Sequence, residues 1–389
     1  MAERATDGPE VLFERRGALA VITLNRPRAV NALTAGMVGM ILEQLTAWAD
    51  DDGVATVLVQ GAGERGLCAG GDIVAIYEDI PHGGHRTADF WQAEYRMNSL
   101  IARYPKPYVA LMDGLVLGGG VGISAHGSVR VVTERTRTGM PETTIGFAPD
   151  VGGTFLLARA PGETGTHAAL TGAHLDGPDA LYLGLADYYV PSARLPGLVA
   201  ALESESPEAA VGRCAGEAPP SALAAQREWI DACYAEPDAG DIVRRLRSWQ
   251  GSGAAEAQQA AEAIEAKSPT SVKVTLESLR RARGLSLDEA LAEEYRVGLR
   301  FLAGADFREG IRAQVVDKDR TPRWQPPTLG EVHPEHVARY FQPLDGGELD
   351  LGKALDRGSS MDSGTALDSG TALDRVTAAD RQLKETDHA

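Results

Sequence analysis

Four short apolar runs, at residues 18–24, 56–60, 108–112 and 129–133, punctuate the first third of the chain. They are rich in Val, Leu and Ile and show no polar alternation, so they read as strands covered on both faces. Asn25-Arg-Pro27 stops the first run, and Gly61-Ala-Gly63 stops the second. Between them, Met37, Ile41, Leu45 and Trp48 recur at spacings of four, four and three, which predicts a helix over 34–49. Gly118-Gly-Gly120 opens another helix after the third run. Strand, helix, strand, helix in this order predicts an α/β layer structure.

The rest of the chain reads differently. From 195 to 266 it is rich in Ala, Glu and Pro and carries no strand signal. Ser268 followed by Pro269 reads as an N-cap and a first helical residue. Ser286-Leu-Asp-Glu289 forms a capping box ahead of Leu291, Tyr295, Leu299 and Leu302, which share one helical face. Beyond 344 the chain has no aromatic residue, and Asp362-Ser-Gly-Thr-Ala-Leu367 is repeated at once as Asp368-Ser-Gly-Thr-Ala-Leu373. Two copies of six residues cannot stack into a core, so a solvated, low-complexity tail is expected there. The expected organisation is an α/β core over 1–195, a helical region over 196–343 and a disordered tail over 344–389.

Charge narrows the partners. With 38 Lys and Arg against 55 Asp and Glu, the net charge is −17. That opposes sequence-independent binding to nucleic acid and to anionic membranes. Local basic residues or a helix N-terminus can still hold a phosphate-bearing ligand. Three cysteines without a CxxC spacing argue against a disulfide framework, and His82-Gly-Gly-His85 lacks the neighbours of a metal site. No metal is expected. The polar, mixed-charge start of the chain reads as cytoplasmic.

Three groups of residues could carry chemistry. Gly61-Ala-Gly-Glu-Arg-Gly66 matches the dinucleotide fingerprint, but Leu67-Cys-Ala-Gly-Gly71 follows it where a helix should begin, so more loop is expected. Cys68-Ala-Gly-Gly-Asp72 and Gly118-Gly-Gly120 each follow a strand, where backbone N–H groups lack partners in the helix that follows. Two such N–H groups converging would form an oxyanion hole; either turn alone is more often a tight packing turn than a catalytic one. Glu142 and Asp150 lie eight residues apart in a segment dense in Pro and Gly. Irregular backbone can aim both into one cleft for acid–base work, while a surface charge and a helix cap are the plainer alternatives.

Taken together, Asn25-Arg-Pro27 with Asn31-Ala-Leu33, Cys68-Ala-Gly-Gly-Asp72, Gly118-Gly-Gly120 and Pro141-Glu142 resemble the crotonase, or enoyl-CoA hydratase/isomerase, superfamily. Met140-Pro-Glu-Thr-Thr-Ile-Gly-Phe-Ala-Pro-Asp-Val-Gly-Gly153, Ser268-Pro-Thr-Ser-Val-Lys-Val-Thr275 and the stretch from Asp306 to Trp324 resemble its thioester-hydrolase branch. The resemblance runs in order over 11–332 and leaves out the repeats. It implies a spiral of ββα turns followed by helices, and an acyl-CoA thioester as substrate. It further implies oxyanion-hole N–H groups at Gly71 and Gly119, acid/base carboxylates at Glu142 and Asp150, and a substrate contact at Glu78. CoA arrives within the substrate, with no other cofactor implied. Homo-oligomerisation stays open.

The same resemblance separates the candidate reactions. Enoyl-CoA hydratases carry a second glutamate three residues after the middle glycine of the triplet, where this chain has Gly122. Hydration would lack one of its two acid/base groups. Hydrolysis of a short β-hydroxyacyl-CoA, such as 3-hydroxyisobutyryl-CoA in valine breakdown, needs only Glu142 and Asp150. Hydration or isomerisation, and non-catalytic CoA binding, are the alternatives.

Overall fold

The computed structural model describes residues 8–345 and 347–351. Strand β1 (Val11–Arg16) pairs antiparallel with β2 (Leu19–Leu24), whose six residues are all buried. Helix α1 (Ala35–Ala49) follows, with the Thr34 hydroxyl accepting from the Met37 N–H at 3.1 Å. Met37, Ile41, Leu45 and Trp48 all face the core, as their spacing requires.

From here each turn of the chain lays down two strands and then a helix. The first comprises β3 (Thr56–Gly61), β4 (Gly66–Cys68) and α2 (Ile73–Asp79), followed by a long helix, α3 (His85–Ala102). The second comprises β5 (Tyr108–Met112), β6 (Leu115–Leu117) and α4 (Gly119–Ser124). The third has β7 (Val129–Val132), β8 (Arg137–Gly139) and, after a loop, α5 (Gly153–Leu157). With a last short strand, β9 (Tyr188–Tyr189), the first strands of the turns build a sheet in the order β1-β2-β3-β5-β7-β9. The second strands build a smaller sheet, β4-β6-β8. All pairings beyond β1–β2 are parallel. This is the expected spiral of ββα turns. The Gly-rich segment after β3 departs from the expected loop: Gly66 opens β4, because its backbone lies against Leu115 with no room for a Cβ.

The second half is helical, and both caps expected from the sequence are in place at Ser268 and Ser286. Buried residues from both sides of position 195 share one core. A second cluster forms where helices Leu195–Leu202 and Pro207–Cys214 cover the other face of the large sheet, against Val21, Leu58, Val109 and Val131. The boundary at 195 is therefore a change in secondary structure and not a gap between cores. Among the described residues, no helix is long and apolar enough to cross a membrane.

The body also extends further than composition suggested. Leu344, Leu349 and Leu351 are buried in the main core, and Arg296 pairs with Glu348 at 2.9 Å. The tail boundary at 344 is thus corrected: three leucines spaced along a polar segment supply enough apolar surface to dock it. The Asp-rich repeats lie outside the described residues. Truncation after Pro343 should lower the melting temperature clearly, since each buried Leu contributes about 2 kcal/mol. Truncation after Leu351 should leave it nearly unchanged. Equal melting temperatures for the two truncations would show that the leucines do not stabilise the body.

Candidate active site

A cavity of ≈ 180 Å³ opens where α2, α3, β6 and the loop after β8 meet. Its walls include Gly71, Gly119, Glu94, Glu142 and Asp150, with Ile73, Ile76, Phe90, Trp91 and Phe307 giving an apolar lining.

The two glycine turns converge on this cavity. Leu33 donates its N–H to the Gly70 carbonyl at 2.8 Å and accepts from the Asp72 N–H at 2.9 Å. This parallel bridge spends the groups that flank Gly71 and turns its own N–H away from Leu33. Gly119 is the first residue of α4, so its N–H lies outside the helix ladder. A Cβ built on Gly119 would stand 3.4 Å from the Gly71 nitrogen, which puts the two donors side by side.

Glu142 sits beside them. It begins a 3-10 turn, Glu142–Ile145, and a Cβ on Gly118 would meet its Oε1 at 2.7 Å. Glu142 is buried, and its Oε2 has no hydrogen-bond partner. Burial and the neighbouring Asp150 charge push its carboxyl well above the usual carboxylate range. A raised proton affinity makes the ionised carboxylate a stronger base, which suits acid–base work.

Asp150 accepts a hydrogen bond from the Tyr95 hydroxyl at 2.9 Å. Burial raises its carboxyl to about 7, against the opposing Tyr95 bond. Below about pH 4 the carboxyl is protonated in both folded and unfolded chains. Between there and about pH 7 the unfolded chain releases the proton first, so stability is lost as pH rises. Asp150→Asn keeps an acceptor for Tyr95 and removes the charge. It should therefore raise the melting temperature more at pH 8, where about 4 kcal/mol is at stake, than at pH 5. An increment equal at both pH values would mean that Asp150 titrates normally.

One site residue differs from expectation. Glu78 is exposed on α2 and does not line the cavity. The third carboxylate is Glu94 on α3, whose Oε1 lies 2.6 Å from the position of a Gly119 Cβ and has no hydrogen-bond partner. Burial, and then the Asp150 charge, push its carboxyl well above the ordinary value. A signal existed: Phe90, Trp91, Tyr95 and Ile101 mark the buried face of α3, and Glu94 falls within it. A carboxylate on a buried face needs a partner or a function.

Gly122, on α4, packs behind Val151, which lines the cavity. A Cβ there would meet the Val151 Cβ at 2.7 Å and the Asn98 Nδ2 at 2.9 Å, so the place of a second glutamate is closed as well as vacant.

Residues 19–341 match the family described as enoyl-CoA hydratase/isomerase. The chain is 41% identical over 355 residues to a protein of Danio rerio named 3-hydroxyisobutyryl-CoA hydrolase, mitochondrial, covering 88% of this chain and 92% of that one. Against the Gallus gallus protein of the same name it is 39% identical, covering 88% and 91%. A solved structure of a carnitinyl-CoA dehydratase from Mycobacterium thermoresistibile is 50% identical, with a TM-score of 0.85, covering 89% of this chain and all of that one. An enoyl-CoA hydratase from Rhodobacter sphaeroides is 42% identical, with a TM-score of 0.82, covering 88% of this chain and all of that one. The curated relatives are named as mitochondrial, so they lend no support to the cytoplasmic location expected from the N-terminus. Converging glycine turns, buried carboxylates, the spiral of ββα turns and these likenesses agree: the chain belongs to the enoyl-CoA hydratase/isomerase family, with the crotonase fold.

Proposed function

We propose that this chain hydrolyses a short β-hydroxyacyl-CoA thioester, 3-hydroxyisobutyryl-CoA above all, giving the hydroxy acid and free CoA. The observation that carries the choice of reaction is Gly122, where Val151 and Asn98 close the space a hydratase gives to its second glutamate. The relatives named as hydrolases support the same reading.

The cavity of ≈ 180 Å³ falls below the roughly 300–1,000 Å³ of pockets that enclose drug-sized ligands. It takes a short acyl group and leaves most of CoA outside. The thioester oxygen would lie between the N–H groups of Gly71 and Gly119, which stabilise it as it gains charge. Glu142 acts at the carbonyl carbon, by attacking it to form an anhydride that water then opens, or by taking a proton from the attacking water. On either route the C–S bond breaks, a C–O bond forms, and Asp150 passes a proton to the departing thiolate. Glu94, which lines the same cavity and whose Oε1 is unpartnered, accepts the substrate's β-hydroxyl in this reading. A place in valine breakdown follows from this substrate.

The carnitinyl-CoA dehydratase structure, 50% identical, gives the competing reading, loss of water from a CoA thioester. One experiment separates them. Purified protein with 3-hydroxyisobutyryl-CoA should release free thiol, read with a thiol reagent, faster than it adds water to crotonyl-CoA. The reverse order of rates would sink the hydrolase reading.

A further inference from the structure

The turn that carries Asp150 has an unusual backbone. Val151 lies in the left-handed region at φ 53°, and Gly152 follows at φ 79°. A β-branched residue at positive φ costs energy and persists only where its surroundings enforce it. Here the enforcement comes from three directions. The Tyr95 hydroxyl of α3 holds the Asp150 carboxylate at 2.9 Å. His126, just beyond α4, lies 2.8 Å through its Nε2 from the Val151 carbonyl. A carbonyl can only accept, so Nε2 carries the proton and donates. The third hold comes from the helical second half of the chain. Glu294, on the long helix Leu287–Ala303, accepts the Gly152 N–H at 2.7 Å on one carboxylate oxygen and the Thr154 N–H at 2.9 Å on the other. The Thr154 hydroxyl also donates to it.

Glu294 is only 4% exposed, so burying it costs free energy that its hydrogen bonds must offset. A carboxylate is costly where a neutral cap would satisfy the same short helix. Its two oxygens, however, grip residues 152 and 154 on either side of Gly153, whose N–H donates to the Asp150 carbonyl at 2.7 Å. We propose that Glu294 is a positioning residue for Asp150: by clamping residues 152–154 it holds the strained turn that aims the Asp150 carboxylate into the cavity. The helical region thus supplies part of the acid–base machinery without touching substrate. The inference rests on the proposed role of Asp150.

Glu294→Gln tests it with little change in volume. An amide has one accepting oxygen, so its NH2 would face one of the two N–H donors, and the clamp would open on that side. Kinetics with 3-hydroxyisobutyryl-CoA would compare wild type, Glu294→Gln, Asp150→Asn and the double variant. The single Glu294 change should lower kcat at least about tenfold with KM within about threefold, in protein whose circular dichroism is unchanged. In the Asp150→Asn background it should change kcat less than about twofold, because the group it positions is already lost. Multiplying losses, or full kcat in Glu294→Gln, would overturn the proposal. If Glu294→Gln does not fold, Thr154→Val removes a single donor to the same carboxylate, and the same cycle is read on it. A crystal structure of the variant adds a readout independent of activity: the Tyr95–Asp150 bond should be broken, and an unmoved turn would count against the inference even if wild type proved not to be a thioesterase. Wild type without thiol release but with the turn displaced in the variant would instead refute the proposed reaction alone.

Discussion

Glu142→Gln should lower kcat by at least ~10²–10⁴-fold while KM changes little. The amide keeps the outline of the side chain but can neither take a proton nor attack a carbonyl carbon. Loss of fold would not explain the result. Glu142 is buried beside Asp150, whose charge raises its proton affinity, so a neutral group there relieves repulsion and the melting temperature should hold or rise. Activity and stability would then move apart, as expected at a strained functional site. The measurement is steady-state thiol release together with a thermal melt. A variant keeping more than a tenth of wild-type kcat would exclude Glu142 as nucleophile or base.

Gly119→Ala should cost at least about 10²-fold in kcat/KM, the order of effect of losing one oxyanion donor. Gly119 is helical, where Ala is intrinsically the better residue, so backbone preference alone predicts a gain in stability. The new methyl would instead meet the Glu94 Oε1 at 2.6 Å and stand 3.4 Å from the Gly71 nitrogen. An oxygen held by both N–H groups must come within about 2.7–3.1 Å of each, and the methyl crowds that approach. Gly71→Ala is the contrasting case. Its Cβ would lean on the Phe90 ring at 3.3 Å, a contact the ring can relieve by moving a few tenths of an ångström. The Gly71 variant should therefore keep more activity than the Gly119 variant. A Gly119→Ala protein with wild-type kcat/KM would show that the oxyanion is held elsewhere.

Much of the fold and part of the site are legible in the amino-acid sequence, because the forces behind them are local. The burial of both faces of the sheet appears as unbroken apolar runs, and all four lie on strands. The α1 stripe and the caps at Ser268 and Ser286 depend on residues within four positions of one another. The glycine turns are recognisable as turns, and the family motifs point to Gly71, Gly119, Glu142 and Asp150, which the structure brings to one cavity.

What sequence could not decide was which distant groups meet. Whether Glu78 or Glu94 joins the site depends on which face of α2 and α3 the body covers, and the two helices carry the glutamates to opposite fates. The partners of the Asp150 turn come from 55 residues away, at Tyr95, and 142 residues away, at Glu294. The missing glutamate at Gly122 is legible as a letter, but its closure by Val151 and Asn98 is a packing fact. Likewise, Leu344, Leu349 and Leu351 look like tail until the groove that buries them exists. The sequence by itself determined the four apolar strands, the α1 stripe and the caps at Ser268 and Ser286, since hydrophobic periodicity and capping act over a few residues. Only the tertiary structure decided which carboxylates lose water and crowd one another. Desolvation and charge coupling depend on distance in space, and that is set by how remote segments pack.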